Sequence, residues 1–505
     1  MLAGTNPIFL TAFLASLAVM LGLGVWIARR TASGEDFLLA GRRLGTPLLV
    51  GTTLATLVGT GSSLGAVGFA YENGWAGALY GIGGAIGVFA LLWLFADVRE
   101  HGFMSFPEEM SSYYGASRVV KGVVAVAMLI ASMGWLGAHI LGGSLYLSYI
   151  TGMDMTTAKI VVALGFGAYT VLGGYLAVVI TDAVQGTILF VGFTALAVLA
   201  VVKVGGLGEV SSAAPDEATS VLGVEALGAL PAVSLALVIA VGVLATPSYR
   251  QRIYSAADTR TVRRSFALVG VLFAAFAVMP AIAGLAASGM RPGLESPDLA
   301  FPYLATEVFP VWIGALLLVA GLSATMSSGD SDAITAVTIL LRDVTHLVTG
   351  RLPRAEHIVR YSRFALIAVL GVALAFALMA TTIIEYITLM ISTVLTGLLV
   401  AAVLGKFWPR ATWQGGLAAM VGGSATALTV NGVESWTEFW GNPVIPSLAV
   451  ALAAGVAVTL LTPPQRITRE EALQRLAAER AEVDVGTRVR AGDTETGHVA
   501  DADRE

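Results

Sequence analysis

Thirteen apolar runs, most of roughly 18 to 25 residues, dominate this 505-residue chain: 7–28, 46–70, 75–98, 121–149, 158–180, 185–204, 232–248, 265–288, 311–341, 361–383, 384–407, 412–431 and 443–462. Each is long enough to cross a hydrocarbon core of about 30 Å. In hydrocarbon a backbone must satisfy its own hydrogen bonds, which leaves helices or a closed barrel. Barrel strands alternate in segments of about ten residues, and these runs are continuous. The expectation is an all-α polytopic membrane protein with 13 transmembrane helices. Charged residues make up only 12% of the chain, about half the usual share of a soluble protein. There is no cysteine, so disulfides and thiolate metal sites are excluded. The formal charge is −5 and the basic side chains do not cluster on one helix face, so nucleic acid is not an expected partner. The lipid bilayer and a small-molecule solute are, and no obligate protein partner is evident.

Basic residues orient the spans. Alternate loops place 26 of the 29 Lys and Arg residues on one side, among them Arg42, Arg43, Arg99, Arg118, Arg250, Arg252, Arg260 and seven arginines of the tail. The other side holds Lys159, Lys203 and Arg291. The positive-inside rule makes the first side cytoplasmic, with the N-terminus outside and the C-terminus inside. The first run has no basic residue before it and ends at Arg29-Arg30, the reverse of a cleaved signal peptide. A multi-pass plasma-membrane location is expected. In the tail, Thr468 to Val485 reads as a short amphipathic surface helix, and the last 20 residues or so read as disordered.

Polar residues inside spans need a reason, because an ionised group near a helix centre costs about 2.5–3.5 kcal/mol on insertion scales. The ninth run contains Ser323-Ala-Thr-Met-Ser-Ser-Gly-Asp-Ser-Asp332. At helical spacing Ala324, Ser327, Ser328, Ser331, Thr335 and Thr338 share a stripe, with Asp330 beside it. Hydroxyls with an adjacent carboxylate are hard oxygen ligands suited to a small cation; hydroxyls alone also serve close helix packing. The second run is interrupted by Gly59, Thr60, Gly61, Ser62 and Ser63, a segment that either unwinds and frees carbonyls at mid-membrane or forms a small-residue packing groove. The seventh carries Gly242 and is expected to end at Thr246-Pro247 before a basic loop. Asp182 follows Gly173-Gly174 and is either a solvated loop residue or a cation ligand reaching the ninth span. His139 with Trp135 either lines a solute path or is a neutral histidine bonded to a neighbouring helix. Gly83 and Gly87 read as a packing face, not a nucleotide loop, because no strand precedes them. No metalloprotease motif or catalytic triad is visible, so an enzyme is not expected.

Broken second and seventh runs, each opening a group of five, divide the chain into 1–45, a first repeat 46–204, a loop 205–231, a second repeat 232–407, two further spans 408–462 and a tail 463–505. Five spans have odd parity, so the repeats insert with opposite topology.

Several stretches are similar to the sodium:solute symporter family. They are Asp36 to Arg42, Gly65 to Tyr71, Tyr169 to Gly174, Thr181 to Gln185, Gln251-Arg252 with Ser255-Ala256, Met326 to Ser331, Leu341 to Asp343, and Lys406 to Gly416. Together they run in order over about residues 36–425. The resemblance implies a five-plus-five inverted-repeat core of the LeuT type and sodium as the coupling ion, without organic cofactor. It implies a sodium site at Ala55, Val58, Ala324, Ser327 and Ser328. A second cation site would fall on Asp182, Ser327, Asp330 and Ser331. There Asp330 replaces the hydroxyl of two-sodium members, and an added carboxylate either strengthens sodium binding or carries a proton. Thr60, Ser62, Ser63, Trp135 and His139 are the expected solute contacts. The seventh run reads Ile239 to Leu244 without polar side chains, against a sugar, and Leu57 stands where proline transporters carry an acid. An amino acid, a carboxylate or a vitamin-like acid is the expected solute. The rivals are proton coupling through Asp182 or Asp330, and a sensor on a transporter scaffold.

Overall fold

The structure is a computed structural model that describes residues 6–28, 39–212, 220–350, 355–380 and 382–480. The main helices in chain order are α1 Pro7–Ala28, α2 Thr46–Leu57, α3 Ala66–Asn73, α4 Ala78–Phe95, α5 Phe106–Tyr113, α6 Arg118–Thr151 and α7 Met155–Val204. They continue with α8 Ala229–Ala245, α9 Pro247–Ser255, α10 Thr259–Phe276, α11 Val278–Met290, α12 Val311–Ile339 and α13 Ala355–Met379. The last are α14 Ile383–Met390, α15 Thr396–Phe407, α16 Trp413–Asn431, α17 Glu434–Trp440 and α18 Val444–Leu461, followed by a tail helix, α19, over 469–480. Among the described residues no strand forms; the one sheet-like contact is the bridge between Leu44 and Ala256.

The surface is apolar and the interior holds the charge. Trp93, Leu164 and Leu316 are largely exposed, whereas Glu109, Asp182, Arg250, Arg252 and Asp330 are fully buried. That inversion suits a protein whose lateral solvent is lipid. Small residues let the helices close on each other: a Cβ on Gly83 would collide with the Ala236 carbonyl and lie 2.9 Å from its Cα, and one on Gly87 would lie 2.7 Å from Val243 Cβ, both on α8.

By length and composition nine helices among the described residues can cross a membrane, or eleven if the bent pairs α8–α9 and α16–α17 each count as one span. Two shorter apolar helices, Thr46–Leu57 and Met155–Gly165, lie in the remaining two of the thirteen expected runs. In 46–70, α2 ends at Leu57 and the chain restarts as one turn of π-helix, Gly61–Gly65. In 158–180, Gly174 takes φ +64° inside α7, a conformation that a side chain would strain.

The seventh run also departs from expectation. Its helix does end at Thr246-Pro247, but no loop follows: Thr246 is extended, the axis turns by 45°, and α9 continues to Ser255. Proline at the first helical position explains both the stop and the restart. Arg250 and Arg252 therefore sit inside the protein, not in a solvated loop, and they do not belong in a tally of loop charges.

Two ends of the bundle differ in charge. One carries Arg99, Arg118, Lys121, Arg342 and α19, whose Arg480 donates to Glu108 at 2.8 Å and to the carbonyls of Gly102 and His101. The other carries Glu72, Asp298 and Glu385 around one cavity. The expected tail helix is present over 469–480; its continuation to Val485 and the final residues lie outside the described residues, as do Arg29, Arg30 and Asp36.

Candidate functional site

The break in α2 lies against the middle of α12. Val58 leaves helical geometry at φ −83°, ψ 63°, so the last carbonyls of α2 lose their regular partners. Hydroxyls of α12 meet them. Ser327 Oγ is 3.0 Å from the Ala55 carbonyl, and Ser328 Oγ is 3.0 Å from that of Thr56 and 3.4 Å from that of Ala55. Ala324, whose carbonyl lies 3.5 Å from Ser327 Oγ, is one turn away on the same helix. Ala55, Val58 and Ala324 are all fully buried. These are buried neutral oxygens, the hard donor type that small cations take, with no carboxylate among them. Gly59 permits the approach: a Cβ there would lie 2.5 Å from Ser328 Oγ and 3.1 Å from His139 Cε1.

Of the expected solute contacts, Thr60, Trp135 and His139 come together. Thr60 Oγ1 lies 2.9 Å from His139 Nδ1. His139 Nε2 lies 3.3 Å from Asp332 Oδ2. Trp135 stacks on the His139 ring with centroids 6.4 Å apart and donates to Thr246 Oγ1 at 3.2 Å. A line of polar groups thus joins the break in α2, the centre of α6, α12 and the break between α8 and α9. Ser62 and Ser63 point elsewhere. Their hydroxyls donate to the carbonyls of Leu57 and Gly59, at 2.8 and 2.6 Å, and so stabilise the break itself.

Asp182 is fully buried, which removes the solvated-loop alternative. Its Oδ2 accepts from Thr52 Oγ1 at 2.7 Å, Arg252 Nη2 at 3.1 Å and Ser331 Oγ at 3.2 Å. Arg252 Nη2 also donates to Thr56 Oγ1 at 2.6 Å and to Ser331. Asp182 does reach the ninth span, and the cation it meets there is a guanidinium of the chain itself. Asp330 is buried one residue from Ser331. A second buried pair lies towards the basic end: Arg250 Nη1 donates to Glu109 Oε1 at 3.2 Å, Tyr113 donates to the same oxygen at 2.7 Å, and the guanidinium lies 3.6 Å from the Phe95 ring centre.

Asp332, Arg252, Thr52, Thr56 and Thr246 are site residues that sequence reasoning missed. Asp332 had a signal, since it lies four residues after Ser328 and therefore one turn along the same helix face. Arg252 was masked by the basic residues that follow it, Arg260, Arg263 and Arg264.

Above the break, on the acidic end, a cavity of about 310 Å³ is lined by Gly65, Glu72, Asp298, Thr382, Glu385 and Asn442 among others, with no basic side chain among the described residues of its wall. Ile383 and Ile384 of α14 pack on Gly65, and Tyr80 and Ile387 on Gly61, between this vestibule and Thr60. Burial with Glu72 nearby raises the Asp298 carboxyl to about 6, against the bond it accepts from the Ile383 amide at 3.1 Å.

The sequence model described as the sodium:solute symporter family matches residues 37–423. The high-affinity proline transporter PutP of Bacillus subtilis (strain 168) is 26% identical over 481 residues, covering 89% of this chain and 98% of that protein. The sodium/pantothenate symporter of Escherichia coli (strain K12) is 24% identical, covering 87% and 94%. Among solved structures, the substrate-bound outward-open state of a Na+-coupled sialic acid symporter aligns with a TM-score of 0.77 at 18% identity, covering 90% of this chain and 98% of that one. At that identity the likeness shows the fold.

Proposed function

The chain belongs to the sodium:solute symporter family, as a sodium-coupled symporter of a small solute, and from that premise we propose that Ala55, Val58, Ala324, Ser327 and Ser328 hold the coupling ion. One observation carries the assignment: the Ser327 and Ser328 hydroxyls meet the Ala55 and Thr56 carbonyls at 3.0 Å where α2 stops. Sodium there would tie the end of α2 to α12 and set the position of Thr60, three residues on. Thr60, Trp135 and His139 then form the solute chamber between the two broken helices. The ion favours the conformation in which this chamber is assembled and raises solute affinity, and by linkage the solute raises sodium affinity equally.

The repeats 46–204 and 232–407 would rock against each other to expose the chamber alternately. Under the positive-inside rule the end with Arg99, Arg118 and Arg342 faces the cytoplasm. The acidic vestibule then faces outward, the N-terminus lies outside, and the protein resides in the plasma membrane. The Arg252 guanidinium on Asp182 and Ser331 supports one sodium per cycle, because the position of a second cation is already filled by a fixed one. Proton coupling through Asp330 is the second reading, supported by the complete burial of that carboxylate.

Thermal stabilisation of the purified full-length chain in sodium against potassium tests the ion assignment. Sodium should raise the melting temperature, and Ser328→Ala should remove the difference. Equal behaviour in both salts would overturn it.

A further inference from the structure

We propose that the solute bears a positively charged nitrogen and that the Asp332 carboxylate is its partner. The inference rests on the solute chamber assigned above and narrows what that chamber accepts.

Asp332 belongs to α12, one turn from Ser328, and its side chain is 4% exposed. Oδ2 faces His139 Nε2 at 3.3 Å. Oδ1 is buried and accepts no hydrogen bond from any described residue. Both nitrogens of His139 are engaged, Nδ1 with Thr60 and Nε2 with Asp332. An imidazole that accepts from Thr60 through Nδ1 and donates to Asp332 through Nε2 completes both bonds. A buried carboxylate oxygen without a donor is costly, more so than a neutral acceptor. An N–H donor on a cation answers it best, because charge-assisted bonds are roughly twice as strong as neutral ones.

The surroundings point the same way. Trp135 stacks on His139 beside the carboxylate, and an aromatic face next to a carboxylate suits an ammonium group. Two fully buried guanidinium groups of the core are already ion-paired, Arg250 with Glu109 and Arg252 with Asp182. An acid without a nitrogen would meet the Asp332 carboxylate and guanidinium groups whose charge a carboxylate already balances. A zwitterion is admissible, with its ammonium on Asp332 and its carboxylate towards the sodium site one turn away. The vestibule adds an independent observation: Glu72, Asp298 and Glu385 line it and, among the described residues, no basic side chain does. Such a mouth concentrates cations and repels anions. Of the solute classes the sequence suggests, the amino acid survives and the simple carboxylate does not.

The test uses the full-length protein in detergent, in sodium and in potassium, with matched probes. Alkylamines are paired with the corresponding alcohols, and amino acids with their 2-hydroxy acids. A nitrogen-bearing probe should stabilise the protein in sodium, and its partner without the charge should bind about tenfold or more weakly. In Asp332→Asn the ratio within a pair should fall towards one, which a merely structural role would not produce. If that variant does not fold, the ratio in the unmodified protein decides. Equal binding within pairs, stabilisation only by nitrogen-free acids, no response to any nitrogen cation, or an unchanged ratio in Asp332→Asn would each overturn the inference. Sodium without effect while an ammonium probe still binds would instead remove the coupling assignment and leave Asp332 in place.

Discussion

Asp182 Oδ2 and Arg252 Nη2 lie 3.1 Å apart with both side chains fully buried. Around them Thr52 of α2 and Ser331 of α12 bond both the guanidinium and the carboxylate, and Thr56 of α2 bonds the guanidinium. One ion pair therefore joins α2, α7, α9 and α12. A pair so placed is both a structural clasp and a counter-charge.

Removing one partner should be costly. Asp182→Asn or Arg252→Ala leaves an uncompensated buried charge, and a loss of about 3–5 kcal/mol is expected for each. Replacing both with apolar residues should be less damaging than either single change. Melting temperatures of the two single variants and the double variant form a cycle; additive losses would show that the pair is not coupled.

Gly59→Ala should harm ion and solute binding together. The new Cβ would enter the space of Ser328 Oγ and His139 Cε1, and overpacking of this kind costs about 1–3 kcal/mol. Sodium-dependent stabilisation and solute affinity, measured on one preparation, should fall in parallel. Retention of either alone would separate the two sites.

The vestibule should respond to acid. The raised Asp298 carboxyl, at about 6, means that the folded state holds its proton more tightly than the unfolded chain does. Stability from this group is therefore fully present below the ordinary carboxylate range and is lost as pH rises through about 6. The melting temperature should climb between pH 7 and pH 5 relative to Asp298→Asn, which lacks the titration. Cation uptake should move the opposite way over the same interval, as the vestibule loses a negative charge. Identical pH curves for the two proteins would refute the assignment.

The tail helix should stabilise the basic end. Leu476 and Ala472 are buried under it, and Arg480 bridges Glu108 and two carbonyls. Glu108 stands beside Glu109, the partner of Arg250. Arg480→Ala should cost about 1–3 kcal/mol and make the segment 463–468 more sensitive to protease. Unchanged cleavage would mean that the helix is not held in solution.

Much of the site was legible because lipid makes polar residues conspicuous. The Ser327-Ser328 stripe and the Gly59 to Ser63 interruption stand out within a few residues of sequence, and the structure places them against each other. The division of labour inside the break was not legible: Thr60 reaches across to His139, while Ser62 and Ser63 turn back to the break's own carbonyls. Three neighbouring hydroxyls look alike until the helix direction on either side of the break is known. Arg252 was misread for a similar reason. Its sequence neighbours are loop-like and basic, and only the restart of the helix at Pro247 carries it inward.

The sequence by itself determined an all-helical membrane protein, the position of the break in the second run, and the oxygen-rich face of the ninth. These follow from the energetics of a short segment against one solvent, where hydrocarbon penalises every polar group and glycine weakens a helix locally. Only the tertiary structure decided that Asp182, seventy residues from Arg252 in sequence, meets a fixed guanidinium, and that His139 meets Asp332. Which charge neutralises which depends on the faces that distant helices turn to each other. That is set by the packing of the whole bundle and leaves no mark in any single stretch of chain.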